Sequence, residues 1–159
     1  MIEAYPKAVF LKETGFSRLP IHLSCRSGGS VEVLKVLTKH NPEGAQEKDA
    51  LGRIPLHYAI SNGAVPEIID ELLIVFPDSG RCRDNKGWLP LHVACDCGAS
   101  YVVIEKLLKS YPEAALMKTD NRNTPISLLR RSQSPDVDRI SKLLDGAAGN
   151  ALKESGHFG

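Results

Sequence analysis

The chain has 159 residues, 42% of them hydrophobic, which suits one domain with a buried core and excludes a disordered or collagen-like polymer. Its 20 Lys and Arg stand against 19 Asp and Glu, and the formal net charge of +1 excludes a bulk attraction to nucleic acid or anionic membrane, so any charge preference is local. The longest aliphatic and aromatic run, Leu72 to Phe76, falls far short of the roughly 20 residues that span a bilayer.

Met1 to Phe10 carries Glu3 and Lys7 around Pro6 and lacks the basic segment and apolar stretch of a secretion signal. Cys25, Cys82, Cys95 and Cys97 are too few and too unevenly placed for a disulfide framework. An intracellular, cytoplasmic protein with reduced thiols is expected.

The chain repeats itself. Pro20, Pro55, Pro90 and Pro125 are each 35 residues apart, and Pro42, Pro77 and Pro112 keep the same step. Proline at a first helical turn wastes no hydrogen bond, so a short helix is predicted from each of the first set. In the third unit it runs from about Pro90 to Cys97 and stops at Gly98, with Gly28 and Gly63 at the matching places. Apolar residues then recur at helical spacing in Val31, Leu34 and Leu37, in Ile68, Ile69, Leu72 and Leu73, and in Val103, Ile104, Leu107 and Leu108. These predict a second, outer helix, ending before Asn41-Pro42, Phe76-Pro77 or Tyr111-Pro112 because the residue before proline disfavours helix. A loop of about a dozen residues follows and carries Asp49-Ala-Leu-Gly52 or Asp84-Asn-Lys-Gly87 as a turn into the next proline.

These motifs resemble the ankyrin repeat, a unit of about 33 residues in which Thr-Pro-Leu-His-x-Ala opens a helix pair. The matching stretches are Pro55-Leu56-His57-Tyr58-Ala59 and Pro90-Leu91-His92-Val93-Ala94, each preceded by the Asp-x-x-Gly turn, whereas Leu19, Ile54 and Leu89 stand in place of the threonine. The resemblance implies an all-α fold, a solenoid of stacked helix-turn-helix units with long turn loops. Residues 1–145 form the array, with units at about 14–48, 49–83, 84–118 and 119–145 preceded by a partial unit around Tyr5-Pro6. The last unit has Ser127 in place of the histidine and Arg130 and Arg131 near the buried face, and is expected to act as a C-terminal cap. Residues 146–159, rich in Gly and Ala without apolar periodicity, are expected to form a flexible tail.

Candidate chemistry is sparse. His22, His57 and His92 recur once per unit and are read as ties between a helix start and neighbouring backbone. His92, Cys95 and Cys97 are zinc-type ligands, but on one helix Cys97 points away from the other two, and there is no second Cys-x-x-Cys pair. Cys82 and Cys97 have no neighbour clearly placed to lower a thiol pKa. No catalytic residue, metal or cofactor is expected.

What the resemblance implies instead is a concave face of turn tips and inner helices that binds a protein partner. Carried over by position, the binding residues are Arg18, Arg26, Leu51, Arg53, Asn62, Arg83, Asn85, Lys86, Trp88, Asp96, Asn121, Asn123 and Arg131. Lys48, Arg83 and Lys118 fall in register before successive turns, and Trp88 is expected to be an exposed aromatic anchor. The basic excess on this side predicts an acidic or phosphorylated peptide ligand, with neither nucleic acid nor membrane as partner, bound by a monomer. The alternative is a targeting domain of a larger enzyme with its catalytic domain upstream.

Overall fold

The computed structural model describes residues 6–156; Met1 to Tyr5 and residues 157–159 lie outside the described residues. These form eight α-helices and no strand: α1 (Pro20–Ser27), α2 (Val31–His40), α3 (Pro55–Ser61), α4 (Pro66–Val75), α5 (Pro90–Asp96), α6 (Tyr101–Ser110), α7 (Pro125–Arg131) and α8 (Val137–Ser155). The odd-numbered helices pack on one another in chain order, as do the even-numbered ones, so the chain is a stack of helix pairs.

Each inner helix opens at its proline. The position ahead of it is held by the histidine three residues on: the Leu19, Ile54 and Leu89 amides donate to Nδ1 of His22, His57 and His92 at 3.2, 3.3 and 3.0 Å. The ring thus does what a threonine hydroxyl does elsewhere. In the fourth unit Thr124 restores the hydroxyl, which accepts from the Ser127 amide at 3.3 Å. Ser30 and Ser100 cap α2 and α6. The apolar stripes predicted for the outer helices are buried except for Val31 and Leu73, which are half-buried, and Leu34, Ile69, Leu72, Ile104 and Leu107 lie at the centre of one continuous core.

The second proline set does more than end helices. Pro42–Ala45, Pro77–Arg81 and Pro112–Leu116 wind into 3-10 helices inside the predicted loops, and Pro6–Phe10 forms another ahead of α1. Each packs against the helix pair that follows it.

The turns stack by backbone hydrogen bonds. The amides of Ala50, Asn85 and Asp120 donate to the carbonyls of Phe16, Leu51 and Lys86 at 2.7, 3.0 and 3.1 Å, one unit back each time. Asp49 and Asp84 brace their own turns, accepting on Oδ1 from Leu51 and Arg53 and from Lys86 and Trp88. The tip needs a left-handed residue: Gly52 and Gly87 both have φ of 73°. A Cβ on Gly52 would also lie 2.8 Å from the Asn85 amide nitrogen.

Two expectations fail at the C-terminal end. Residues 146–155 are part of α8 rather than a flexible tail. Gly146 and Gly149 weaken the helix by about 1 kcal/mol each, but Leu144 and Ala151 are buried and the helix packs along Pro112–Leu116, α6 and α7, so tertiary contact overrides propensity. Arg130 and Arg131 are exposed, because Leu128 and Leu129 take the buried positions of α7. Leu144 is 2% exposed and Leu107 1%. Leu144→Ala is therefore expected to cost about 2 to 5 kcal/mol, as Leu107→Ala does. Urea unfolding of both variants checks this, and a Leu144→Ala cost near zero would show that α8 is loosely attached.

Candidate interaction surface

The turn tips and the C-terminal ends of the inner helices share one side of the stack. The equivalent tip residues Phe16, Leu51, Lys86 and Asn121 are all exposed. So are Arg26, Ser61, Asp96 and Arg131, which occupy one position of α1, α3, α5 and α7. Asn62 and Asn85 are exposed too, while Arg53, Arg83, Trp88 and Asn123 are half-buried.

Several expected binding residues are occupied in holding the stack together. Arg18 is buried, so its placement on the accessible surface is corrected: its Nε pairs with Asp49 Oδ2 at 3.3 Å, and its guanidinium lies over the Phe16 and Tyr58 rings. Tyr58 completes this network by donating to Asp49 Oδ2 at 2.6 Å. One unit on, Arg53 Nε pairs with Asp84 Oδ2 at 3.4 Å, with a third of the arginine side chain still exposed.

Two of the three side chains of the basic row are struts. Lys48 Nζ donates to the Arg83 carbonyl at 2.9 Å, and Arg83 Nη1 donates to the carbonyls of Gly87 and Lys118 at 3.1 and 2.9 Å. Asn85 Nδ2 reaches back to the Ala50 carbonyl at 3.0 Å. Arg131 lies 3.4 Å from Asn123 Oδ1. Trp88 packs edge-on against His92 and against the core, so it is not the exposed anchor expected.

With Arg18 and Arg53 matched by Asp49 and Asp84, the surface is less basic than the sequence suggests. Its open cations include Arg26, Lys86, Arg122 and Arg131, with Asp96 and Asp120 among them. Phe16, Leu23 and Leu51 add exposed apolar area toward the N-terminal half. Leu23 was missed because its counterparts, Tyr58 and Val93, occupy a core position. The Arg18–Asp49–Tyr58 network was missed as well, although the shared 35-residue spacing of Arg18 with Arg53 and of Asp49 with Asp84 was a signal for it.

The histidines are structural in their bonding. Because Nδ1 accepts from a backbone amide, the proton sits on Nε2, which donates to the carbonyls of Glu47, Trp88 and Met117 from His22, His57 and His92. Both ring nitrogens of His92 are thus engaged, leaving none for a metal. Burial pushes the Cys25 and Cys95 thiols up to about 12, and it also raises those of Cys82 and Cys97, the reverse of what a reactive thiolate needs. Among the described residues no three His, Cys, Asp or Glu side chains are grouped to hold a metal ion, and no helix is long and apolar enough to cross a membrane.

Stacked helix pairs with long turns, each inner helix opened by a proline and three of them tied by a histidine to the backbone of the loop that follows, define a helical repeat solenoid. A family model of ankyrin repeats in three copies matches residues 21–121, and the chain belongs to the ankyrin-repeat family. No curated protein matches it. Ankyrin repeats generally mediate protein–protein interaction and are typically non-catalytic.

Proposed function

We infer that this chain is a non-catalytic intracellular module that binds a protein partner along its turn tips and inner-helix ends. One observation carries the reading: scaffold positions recur from unit to unit with the same bonds, whereas the exposed positions between them change. His22, His57 and His92 are interchangeable, but Phe16, Leu51, Lys86 and Asn121 differ at one tip position, and Arg26, Ser61, Asp96 and Arg131 differ at one helix position. Such variation on a constant frame is how a repeat array sets specificity. Arg26, Lys86 and Arg131 favour acidic or phosphorylated groups, since guanidinium forks grip carboxylate and phosphate in pairs, while Phe16 and Leu51 offer apolar contact beside them.

The test is affinity capture with the full chain, repeated with an Arg26→Glu, Lys86→Glu, Arg131→Glu variant and with an outer-helix control, Glu67→Lys. All four positions are exposed, and none of their side chains makes a bond between units, so folding is expected to be retained. A bound protein should be lost at least tenfold with the triple variant and kept with the control, with binding that weakens as salt rises. A partner that ignores the triple variant and is lost with Glu67→Lys would move the interface to the outer helices.

A further inference from the structure

The left-handed residue of the turn is not glycine in every unit. Arg122 occupies the position of Gly52 and Gly87, and its φ is 61°. In that region a β-carbon crowds the backbone, so an arginine strains the turn. Its neighbours Asn121 and Asn123 are of the type that enters the region more readily, so local preference does not account for the arginine. Ser17 makes the same departure in the first unit, with φ of 58°, but carries only a short hydroxyl. Arg122 brings a guanidinium that is exposed and, among the described residues, makes no hydrogen bond or ion pair, so no contact of its side chain offsets the strain. Strain of this kind marks a residue held for something other than the fold.

Two further cations share this stretch of surface. Arg131 Nη2 lies 3.4 Å from Oδ1 of Asn123, the residue after Arg122. Lys86 stands on the adjacent tip, where its carbonyl accepts from the Asp120 amide at 3.1 Å. Both side chains are exposed, as are the acids beside them, Asp120 and Asp96. At the position of Pro42, Pro77 and Pro112 the fourth unit has Ala147, inside α8, so the loop that would carry another tip onto Arg122 is helix instead.

We propose that Arg122 and Arg131 together hold a phosphorylated side chain of the partner, with Lys86 beside them; this rests on the interaction surface proposed above and names what its cap end reads. Two guanidinium forks and an ammonium carry more charge than one carboxylate balances. A phosphomonoester brings about −1.5 to −2 charge and three acceptor oxygens, enough for both forks. Asp120 and Asp96 disfavour a long polyanion such as nucleic acid, which would have to pass over them, whereas a single phosphate can sit clear of both. The strained backbone then has a function: it sets a long guanidinium at a tip where glycine would leave none.

An array of extended peptides that carry a phosphorylated serine, threonine or tyrosine among varied flanks, with unmodified and glutamate-substituted copies, tests this with the full chain. The phosphorylated copies should bind at least tenfold more tightly than either. Arg122→Gly should weaken that binding at least tenfold while its melting temperature rises by about 2 to 4 °C, because the strain goes with the side chain. Arg122→Lys, which keeps the charge but not the fork, should lose part of the binding. Phosphorylated copies bound no better than the other two, binding unchanged by Arg122→Gly, a melting temperature that falls in that variant, or equal affinity for a single-stranded oligonucleotide each overturns the proposal. Partner capture with the Arg26, Lys86 and Arg131 variant is a separate measurement, so the interaction surface can stand when the phosphate site fails.

Discussion

Asp49→Ala is expected to lower the unfolding free energy by about 3 to 5 kcal/mol, the range for removing one partner of a buried ion pair. An exposed pair such as Lys12–Glu47 is worth about 0 to 1 kcal/mol, so burial decides the size of the effect. The Asp49 side chain is fully buried and accepts from Arg18, Tyr58 and the amides of Leu51 and Arg53. Its loss strands the Arg18 guanidinium, whose side chain is 9% exposed, and unties the turn at the same time. Asp49→Asn separates the two contributions: it can keep the amide bonds while removing the charge, and should cost less than Asp49→Ala. Asp84→Ala should also cost less, because Arg53 is a third exposed and water can replace its partner. Chemical denaturation of the three variants measures this. An Asp49→Ala cost no larger than that of Lys12→Ala would show that the network contributes only surface electrostatics.

The second large effect is loss of stability in mild acid. His57 is wholly buried, and burial pushes its pKa down to about 4, against the opposing pull of its bond to the Trp88 carbonyl. In the unfolded chain the same imidazole titrates near about 6.5. The folded value lies below the unfolded one, so the unfolded state binds the extra proton between them. The stability from neutral His57 is whole above about pH 6.5 and is lost as the pH falls towards 4, on the order of 3 kcal/mol in all at about 1.4 kcal/mol per pH unit. Burial lowers His22 and His92 as well, and both add to the loss in the same direction. Below that window Asp49 continues it. Burial alone would raise its pKa, but the Tyr58 hydroxyl and the amides of Arg53 and Leu51 hold it below the usual carboxylate range, so its contribution disappears as the pH drops through that lowered value. Urea midpoints measured from pH 7.5 to 4.5 should fall steadily, and the His57 ring should stay neutral by NMR to below pH 5. A midpoint that is flat across this range, with His57 protonating near 6.5, would contradict the burial argument.

The helix pairs, their proline starts and their apolar stripes were legible in the residues because each depends on short-range chemistry repeated every 35 positions. Pro55, His57 and Ile69 carry the same information wherever their unit sits in the stack. The 3-10 helices at Pro42, Pro77 and Pro112 were not legible: a proline that ends one helix also favours the φ of a tight turn, and only packing against the next helix pair selects the second use.

The sequence by itself determined the repeat, the helical class and the sparing of the histidines for structure, since periodicity, proline and a ring with one donor and one acceptor act locally. Tertiary structure decided which cations face solvent. Arg18 and Arg26 are equally basic and eight residues apart, yet Asp49 and Tyr58 of the next unit bury one and nothing covers the other. It also decided that Gly146 and Gly149 lie in a helix, because the surface of Pro112–Leu116 and α6 accepts Leu144 and Ala151 and outweighs the weak propensity of the segment. And it buries Tyr58 and Ile68 of the second unit against the first, a property of their place in the stack that period and residue type alone do not give.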